Sequence, residues 1–250
     1  MKRFIFPIIL LTGCVSLNIV VYDVPNGLII PLYVYPTNNN SYSKVLEYSR
    51  NNPHIPVIVI LNPNSGPGEN VDLNYKKAIK ELKQPNITTI GYVSTNYTLK
   101  KLEDVKNSIK KWKEFYPDVK GIFLDEMTSE STFNNINYYK ELNIYTKQLG
   151  FTTTVANPGR PFSNNYFTQN CADIIIGWEE SEYPSPKDYQ IYNVNRVGVL
   201  IHSQEIVDIK MVKKISRKYK WIYITQDKLE NPWDSLSNHM DSLYSALNTF

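Results

Sequence analysis

From residue 28 onward the chain alternates between two textures. Short runs rich in Ile, Val and Tyr end in Pro, Asn, Gly or acidic residues. Longer stretches follow in which Lys and Glu recur on a helical period. The apolar runs are LIIPLYVY (28–35), PVIVILN (56–62), ITTIGYVS (87–94), VKGIFLDE (119–126), FTTTVAN (151–157), DIIIGWEE (173–180), RVGVLIHS (196–203) and WIYITQ (221–226). Near-continuous apolar runs of this length predict parallel strands buried on both faces. Helices are predicted between them at 74–84, 98–116, 136–150, 205–220 and 234–250. In the second of these, Leu99, Leu102, Val105, Ile109, Trp112 and Phe115 make one apolar stripe, and Pro117 stops the helix. Eight strands spaced by roughly 25–30 residues, each followed by a helix-length connection, predict an α/β chain folded as a single (β/α)8 TIM-type barrel. The connections after Asn157 and Glu180 are rich in Pro, Asn and Ser and have room for short helices only. A doubly wound open sheet is the alternative, but no Gly-rich phosphate loop follows the first strand.

Composition narrows the function. At 250 residues, 42% hydrophobic and 20% charged, the chain can bury a sizeable core and is not a disordered protein. The net charge of +3 comes with no basic cluster interleaved with aromatics, so a nucleic-acid partner is not expected. Nineteen Tyr and four Trp suit a groove that stacks on sugar rings, and suit a half-wet surface equally. The two cysteines exclude a disulfide framework. Cys171 follows polar residues at the edge of an apolar run and reads as a buried, inert thiol. Cys14 follows Lys2-Arg3, an apolar stretch from Phe4 to Leu11, and Leu11-Thr12-Gly13, a pattern that resembles a bacterial lipobox. Residues 1–22 are therefore expected to be a signal peptide or lipoprotein-type leader, with lipidation at Cys14, or else an uncleaved membrane anchor. Residues 23–250 are then the barrel domain of an exported protein, at the cell surface or membrane-tethered, with secretion as the alternative.

A parallel barrel keeps its chemistry at the C-terminal ends of the strands. Those ends offer Tyr35, then Asn62 and Asn64 in NPNSGPG (62–68), Tyr92 and Thr95, Asp125-Glu126, Asn157, Trp178-Glu179-Glu180, His202-Ser203 and Gln226-Asp227. Acidic groups thus close strands 4 and 6 directly after apolar runs. A carboxylate in such a place is costly unless hydrogen-bonded or facing a wet mouth. Desolvation and a like-charged neighbour raise its pKa, as a general acid requires. Carboxyls on these two strands can approach to roughly 5–10 Å, a window covering both geometries of glycoside hydrolysis. The competing reading makes one of Asp125 and Glu126 a helix cap and Glu180 a solvated loop residue. Adjacent strand residues point opposite ways, so one of each acidic pair should face the mouth unless the strand has already turned. His54, His202 and His239 lack metal-ligand spacing, and no GxSxG motif is present. NPNSGPG lacks the Lys of a phosphate cradle and reads as a rigid turn holding Asn62 and Asn64 at the cleft.

The segments IPLYVYP (30–36), VIVILNPNSGPG (57–68), IGYVSTNY (90–97) with Trp112, VKGIFLDE (119–126), ANPG (156–159) and IIIGWEES (174–181) together resemble the spherulin-4-like family. That family includes fungal enzymes of glycoside hydrolase family 135, which cleave galactosaminogalactan. The resemblance implies a (β/α)8 barrel and endo-acting cleavage of α-1,4-linked galactosamine or N-acetylgalactosamine polymers, with no metal or cofactor. It implies catalytic roles for Asp125, Glu126 and Glu179, with Glu180 standing in if the register is off by one. Trp178 departs from the family, which has Phe at that place, and the last two strand–helix units are much less recognisable.

The expectation is therefore a glycoside hydrolase whose subsites are lined by Tyr35, Asn62, Asn64, Tyr92, Asn157, Trp178 and His202. Its partner is a polysaccharide, its contact with the membrane is the N-terminal lipid or anchor, and it is expected to be a monomer. A non-catalytic polysaccharide-binding surface protein of the same fold would keep these aromatics and asparagines but would not need two ionisable groups at the mouth.

Overall fold

The computed structural model describes residues 26–185 and 193–248. Cys14 and the expected leader lie outside them. Eight strands form a closed barrel in sequence order, every neighbouring pair parallel, and the first pairs with the last. They are β1 (Gly27–Leu32), β2 (Val57–Leu61), β3 (Ile87–Ser94), β4 (Gly121–Asp125), β5 (Thr153–Ala156), β6 (Ile174–Glu180), β7 (Val197–Ile201) and β8 (Trp221–Ile224). The helices are α1 (Ser41–Asn51), α2 (Leu73–Glu81), α3 (Leu102–Phe115), α4 (Phe133–Gln148), the single turn α5 (Asn165–Thr168), α6 (Ile209–Ile215) and α7 (Met240–Leu247). The strands are continuous in Ile, Leu and Val because both faces are covered, one by the barrel interior and one by helices. Residues 28–30, 57–61 and 199–201 are all buried.

Helices begin where a side chain can satisfy their first amides. Asp72 accepts from the amides of Asn74 and Tyr75, Thr132 from that of Asn135, and Asp208 from those of Lys210 and Met211. Three of the predicted helices start later than expected, the one from residue 234 only at Met240. The stretch expected from residue 205 starts only after the Asp208 cap, leaving Ile206 exposed. The stretch expected from residue 98 starts at Leu102, because Asn96, Tyr97 and Thr98 hold left-handed φ angles and Lys101 is extended, with ψ 138°. Leu99 is consequently not part of the apolar stripe and is exposed, whereas Val105, Ile109 and Trp112 are buried.

The Trp112 ring lies directly over Gly91 of β3, where a Cβ would meet it at 2.3 Å. Its indole N–H donates to the Tyr92 carbonyl at 2.8 Å. A large side chain is thus admitted against the sheet only because the strand offers a glycine there. The contact fixes the height of Tyr92, the next residue along β3.

Candidate active site

Three strand ends converge on one cluster of carboxyls. Asp125 is the last residue of β4 and stands level with Ser94 of β3. Glu126 follows with a left-handed φ of 53°, so the alternation of a strand fails at that point and both side chains remain at the mouth. The Glu126 carboxylate accepts a hydrogen bond from Ser94 Oγ, and its charge bears on both Asp125 and Tyr92. On β6 the register with β7 shifts by one residue between Ile176 and Trp178, a bulge at Gly177. Glu179 bonds within the cluster beyond that bulge, while Glu180 is exposed and its carbonyl accepts the His202 amide.

Asn157, just past β5, holds the cluster together. Its Oδ1 accepts the Gly159 amide at 3.0 Å, which leaves its Nδ2 to face the acids. That one nitrogen donates to Asp125 Oδ1 at 2.8 Å and to Glu179 Oε2 at 2.6 Å. The two accepting oxygens therefore lie no farther apart than those two bonds laid end to end. Gly159 is required here: its φ is +63°, a Cβ would stand 3.4 Å from the Cβ of Glu179, and its carbonyl accepts the Glu179 amide at 2.9 Å. The other Glu179 oxygen, Oε1, accepts from the Trp233 indole at 3.2 Å.

Burial acts on both acids in the same direction. It raises the Glu179 carboxyl, together with the neighbouring Asp125 charge, to about 7, against opposing hydrogen bonds from Asn157 and Trp233. It raises Asp125 as well, opposed by hydrogen bonds from Tyr92, Asn157 and the Glu126 amide. Raised to about 7, the Glu179 carboxyl holds its proton into the neutral range. Burial and the nearby carboxylates also hold the Tyr33 and Tyr92 phenols well above their ordinary range, so both stay neutral and Tyr92 donates to Asp125. The rings of Tyr33 and Tyr92 meet edge to face at 5.7 Å.

The other expected residues are distributed around this cluster. Tyr35 turns away from it: its hydroxyl donates to Asp72 and accepts from Asn74, and its ring meets Tyr75 edge-on at 5.6 Å. Asn62 closes its own turn by accepting the Gly66 amide at 2.9 Å, and Asn64 is exposed on that turn. Trp178 is half-buried and donates to the Glu182 carbonyl. His202 is buried, bonded to Ser203 Oγ, and meets the Trp233 ring edge-on at 6.3 Å. Its pKa is lowered by burial, with Glu180 acting the other way. Asp227 accepts from Ser235 and Gln226, and so orders the connection carrying Trp233.

Tyr33, Ser94 and Trp233 are site residues that strand-end reasoning passes over. Tyr33 sits two residues before the Tyr chosen from strand 1. The available signal for Trp233 was a large indole beside Asn231 and Pro232 in the connection after β8.

Comparison with known proteins agrees with this architecture. Residues 27–247 match the profile of the Spherulation-specific family 4. Spherulin-4 of Physarum polycephalum is 32% identical over 154 residues, covering 61% of this chain; the chain spans under half of that relative, 44% of its length. Among solved structures, Aspergillus clavatus Sph3 in complex with GalNAc superposes with a TM-score of 0.79 at 21% identity, covering 91% of this chain and 99% of that one. An O-GlcNAc hydrolase of Thermobaculum terrenum superposes with a TM-score of 0.51 at 14% identity, covering 90% of this chain and 63% of that one. With its closed eight-stranded barrel and its profile match over nearly all of the barrel, the chain belongs to the Spherulation-specific family 4.

Proposed function

We propose that the protein is a glycoside hydrolase acting on an amino-sugar polysaccharide, with endo-cleavage of α-1,4-linked galactosamine or N-acetylgalactosamine polymers as the specific activity. The observation that carries this reading is the pair Asp125 and Glu179, two half-buried acids joined through one amide nitrogen. A binding protein has no use for two carboxyls held so close, because each raises the other's cost of ionisation. Retaining enzymes hold their two carboxyls about 5–5.5 Å apart, and inverting ones about 6.5–9.5 Å, to leave room for a water. The two oxygens that share the Asn157 donor lie no farther apart than the retaining range, which favours the retaining course. Glu179, carrying the proton near neutrality, gives it to the departing glycosidic oxygen while an Asp125 oxygen attacks the anomeric carbon. Glu179 then takes a proton from water, and that water displaces Asp125 from the sugar. Asn157, Tyr92 and the Glu126 amide stabilise Asp125 as the anion that attacks.

Charge supports the amino-sugar class. Among the described residues, no Lys or Arg forms an ion pair with Asp125, Glu126, Glu179 or Glu180. The mouth therefore gathers carboxyls that no ion pair neutralises, a setting that attracts a sugar bearing an ammonium group. In this reading Glu126 contacts the substrate, Asn64 and Trp178 line outer subsites, and Tyr35, Asn62 and His202 hold the walls. The N-terminal pattern ending at Cys14 supports export and tethering by a lipid.

The test is incubation with partially deacetylated α-1,4-galactosaminogalactan, reading released oligosaccharides by mass spectrometry beside Asp125→Asn and Glu179→Gln. Release that both variants abolish is the expected result. A folded protein that binds the polymer and cleaves neither it nor related glycans would make this a binding protein instead. Tethering is read separately, as incorporation of labelled fatty acid that Cys14→Ala prevents.

A further inference from the structure

The connection between β3 and α3 holds three successive non-glycine residues in the left-handed region: Asn96 (φ 45°), Tyr97 (φ 53°) and Thr98 (φ 74°). A β-branched residue there is a steric outlier, and a run of three is held only by surroundings that over-determine it. The surroundings are the backbone of the candidate catalytic acids. Thr95 Oγ1 donates within 2.9 Å of both the Asp125 and Glu126 carbonyls, the Thr95 amide donates to Asp125 O at 3.0 Å, and the Tyr97 amide donates to Glu126 O at 2.7 Å. On the far side, Tyr138 donates to the Lys100 carbonyl at 2.9 Å. The loop is rigid, and what it displays is a ring. Tyr97 is 55% exposed, and among the described residues it has no aromatic partner. Phe133, which opens the next helix along the same rim, is 78% exposed.

An exposed aromatic on a slack loop needs no explanation. One held on a strained, doubly anchored loop, two residues from a Thr that bonds the carbonyls of both acids, does. The strain serves no packing purpose, since the ring is not buried. We propose that Tyr97 is a sugar-stacking platform that takes, against its face, the apolar C–H face of a polymer unit lying beyond Glu126 on the β3–β4 side of the mouth. The polymer's own continuity supplies the occupant: a chain threaded past Asp125 and Glu179 must leave the mouth over one of its rims, and this rim offers an aromatic face. The platform deepens the polysaccharide reading above and rests on it.

The experiment compares the full-length wild type with Tyr97→Ala, Tyr97→Phe and, as a control for removal of an exposed apolar side chain elsewhere on the barrel, Leu73→Ala. Kinetics are taken on long partially deacetylated galactosaminogalactan and on a short oligomer of it. Tyr97→Ala is expected to raise KM for the long polymer by about tenfold, with kcat within about threefold of wild type, and to change the short oligomer less. Tyr97→Phe keeps the ring and restores KM, as no role for the hydroxyl or for the loop's fold would require; Leu73→Ala matches wild type. KM within twofold of wild type for Tyr97→Ala, or no restoration by Phe, overturns the platform. If the wild type releases nothing, the hydrolase reading fails by itself. The platform is then judged by affinity electrophoresis in gels containing the polymer, where retardation lost by Ala and kept by Phe upholds it and equal retardation rejects it.

Discussion

Trp233 donates its indole N–H to Oε1 of Glu179 across 3.2 Å, tying the connection after β8 to the end of β6. The ring behind that bond is wedged between His202 at 6.3 Å and Tyr223 at 6.1 Å, and the Trp233 carbonyl accepts the Tyr33 amide at 3.0 Å. One residue, by its ring and its carbonyl, thus links β6 and β8 to the chain just past β1 and β7 at the mouth. It bonds the oxygen of Glu179 that Asn157 does not.

Replacing Trp233 by Phe keeps most of the ring and removes the donor. The bond lowers the Glu179 pKa, so its loss moves that pKa up. Glu179 must be protonated to act as the acid, and activity that falls as pH rises should then persist about half a pH unit higher. A pH–rate profile of Trp233→Phe beside wild type checks this. An alkaline limb that stays in place would mean that Glu179 is not the acid.

Asn157→Ala removes the donor shared by both acids. Both pKa values should rise, since the Asn157 hydrogen bond lowers each. Asp125 must be ionised to attack, so the acidic limb of the profile also moves up, and kcat should fall by on the order of a hundredfold. Asp125→Asn and Glu179→Gln should abolish activity at every pH if the proposed mechanism holds, and that difference separates a positioning amide from the reacting groups. An Asn157→Ala profile with both limbs unmoved would detach the amide from the titration.

Gly91→Ala tests how the fold supports the site. The new methyl would stand 2.3 Å from the ring of Trp112, which is fully buried and bonded to the Tyr92 carbonyl. Neither the strand nor the helix can yield without moving Tyr92 off Asp125. The expected cost is about 1–3 kcal/mol, read as a lower thermal midpoint by circular dichroism, together with reduced kcat. An unchanged midpoint would show that α3 packs more loosely than the structure has it.

Most of the barrel was legible because its strands are apolar on both faces, a pattern that no turn or surface helix imitates. The acids were legible because they interrupt that pattern at strand ends. Period-two counting could not register the bulge at Gly177, which decides between Glu179 and Glu180, nor the left-handed φ of Glu126, which keeps two adjacent carboxyls at one mouth. The bridging role of Asn157 was out of reach for another reason. Its amide points at the acids only because Gly159 occupies the oxygen, a local contact with no periodic signature. Tyr33 and Trp233 reach the site through a loop closing on β1, and the contact between chain ends 200 residues apart leaves no trace in local spacing.

Glu179→Gln should make the protein more stable while removing its activity, and the gain should depend on pH in a defined sense. In the folded protein the Glu179 pKa is about 7; in an unfolded chain a Glu titrates near 4.3. Between these values the folded state binds more protons than the unfolded state, so the wild type loses stability as pH climbs through the window. Above pH 7 the whole penalty of holding a half-buried carboxylate beside Asp125 is present. At pH 4.5 only a small part of it is, because Glu179 stays protonated in the fold while an unfolded Glu is about half ionised. Gln carries no charge at any pH and can still accept the Trp233 hydrogen bond. The melting midpoint of Glu179→Gln should therefore match or fall slightly below wild type at pH 4.5 and exceed it at pH 8, by on the order of 1–3 kcal/mol or several degrees. Paired thermal melts at the two pH values are enough to decide. A variant that is less stable at pH 8 would place Glu179 in a solvated setting, where it could not hold a proton near neutrality and could not serve as the acid.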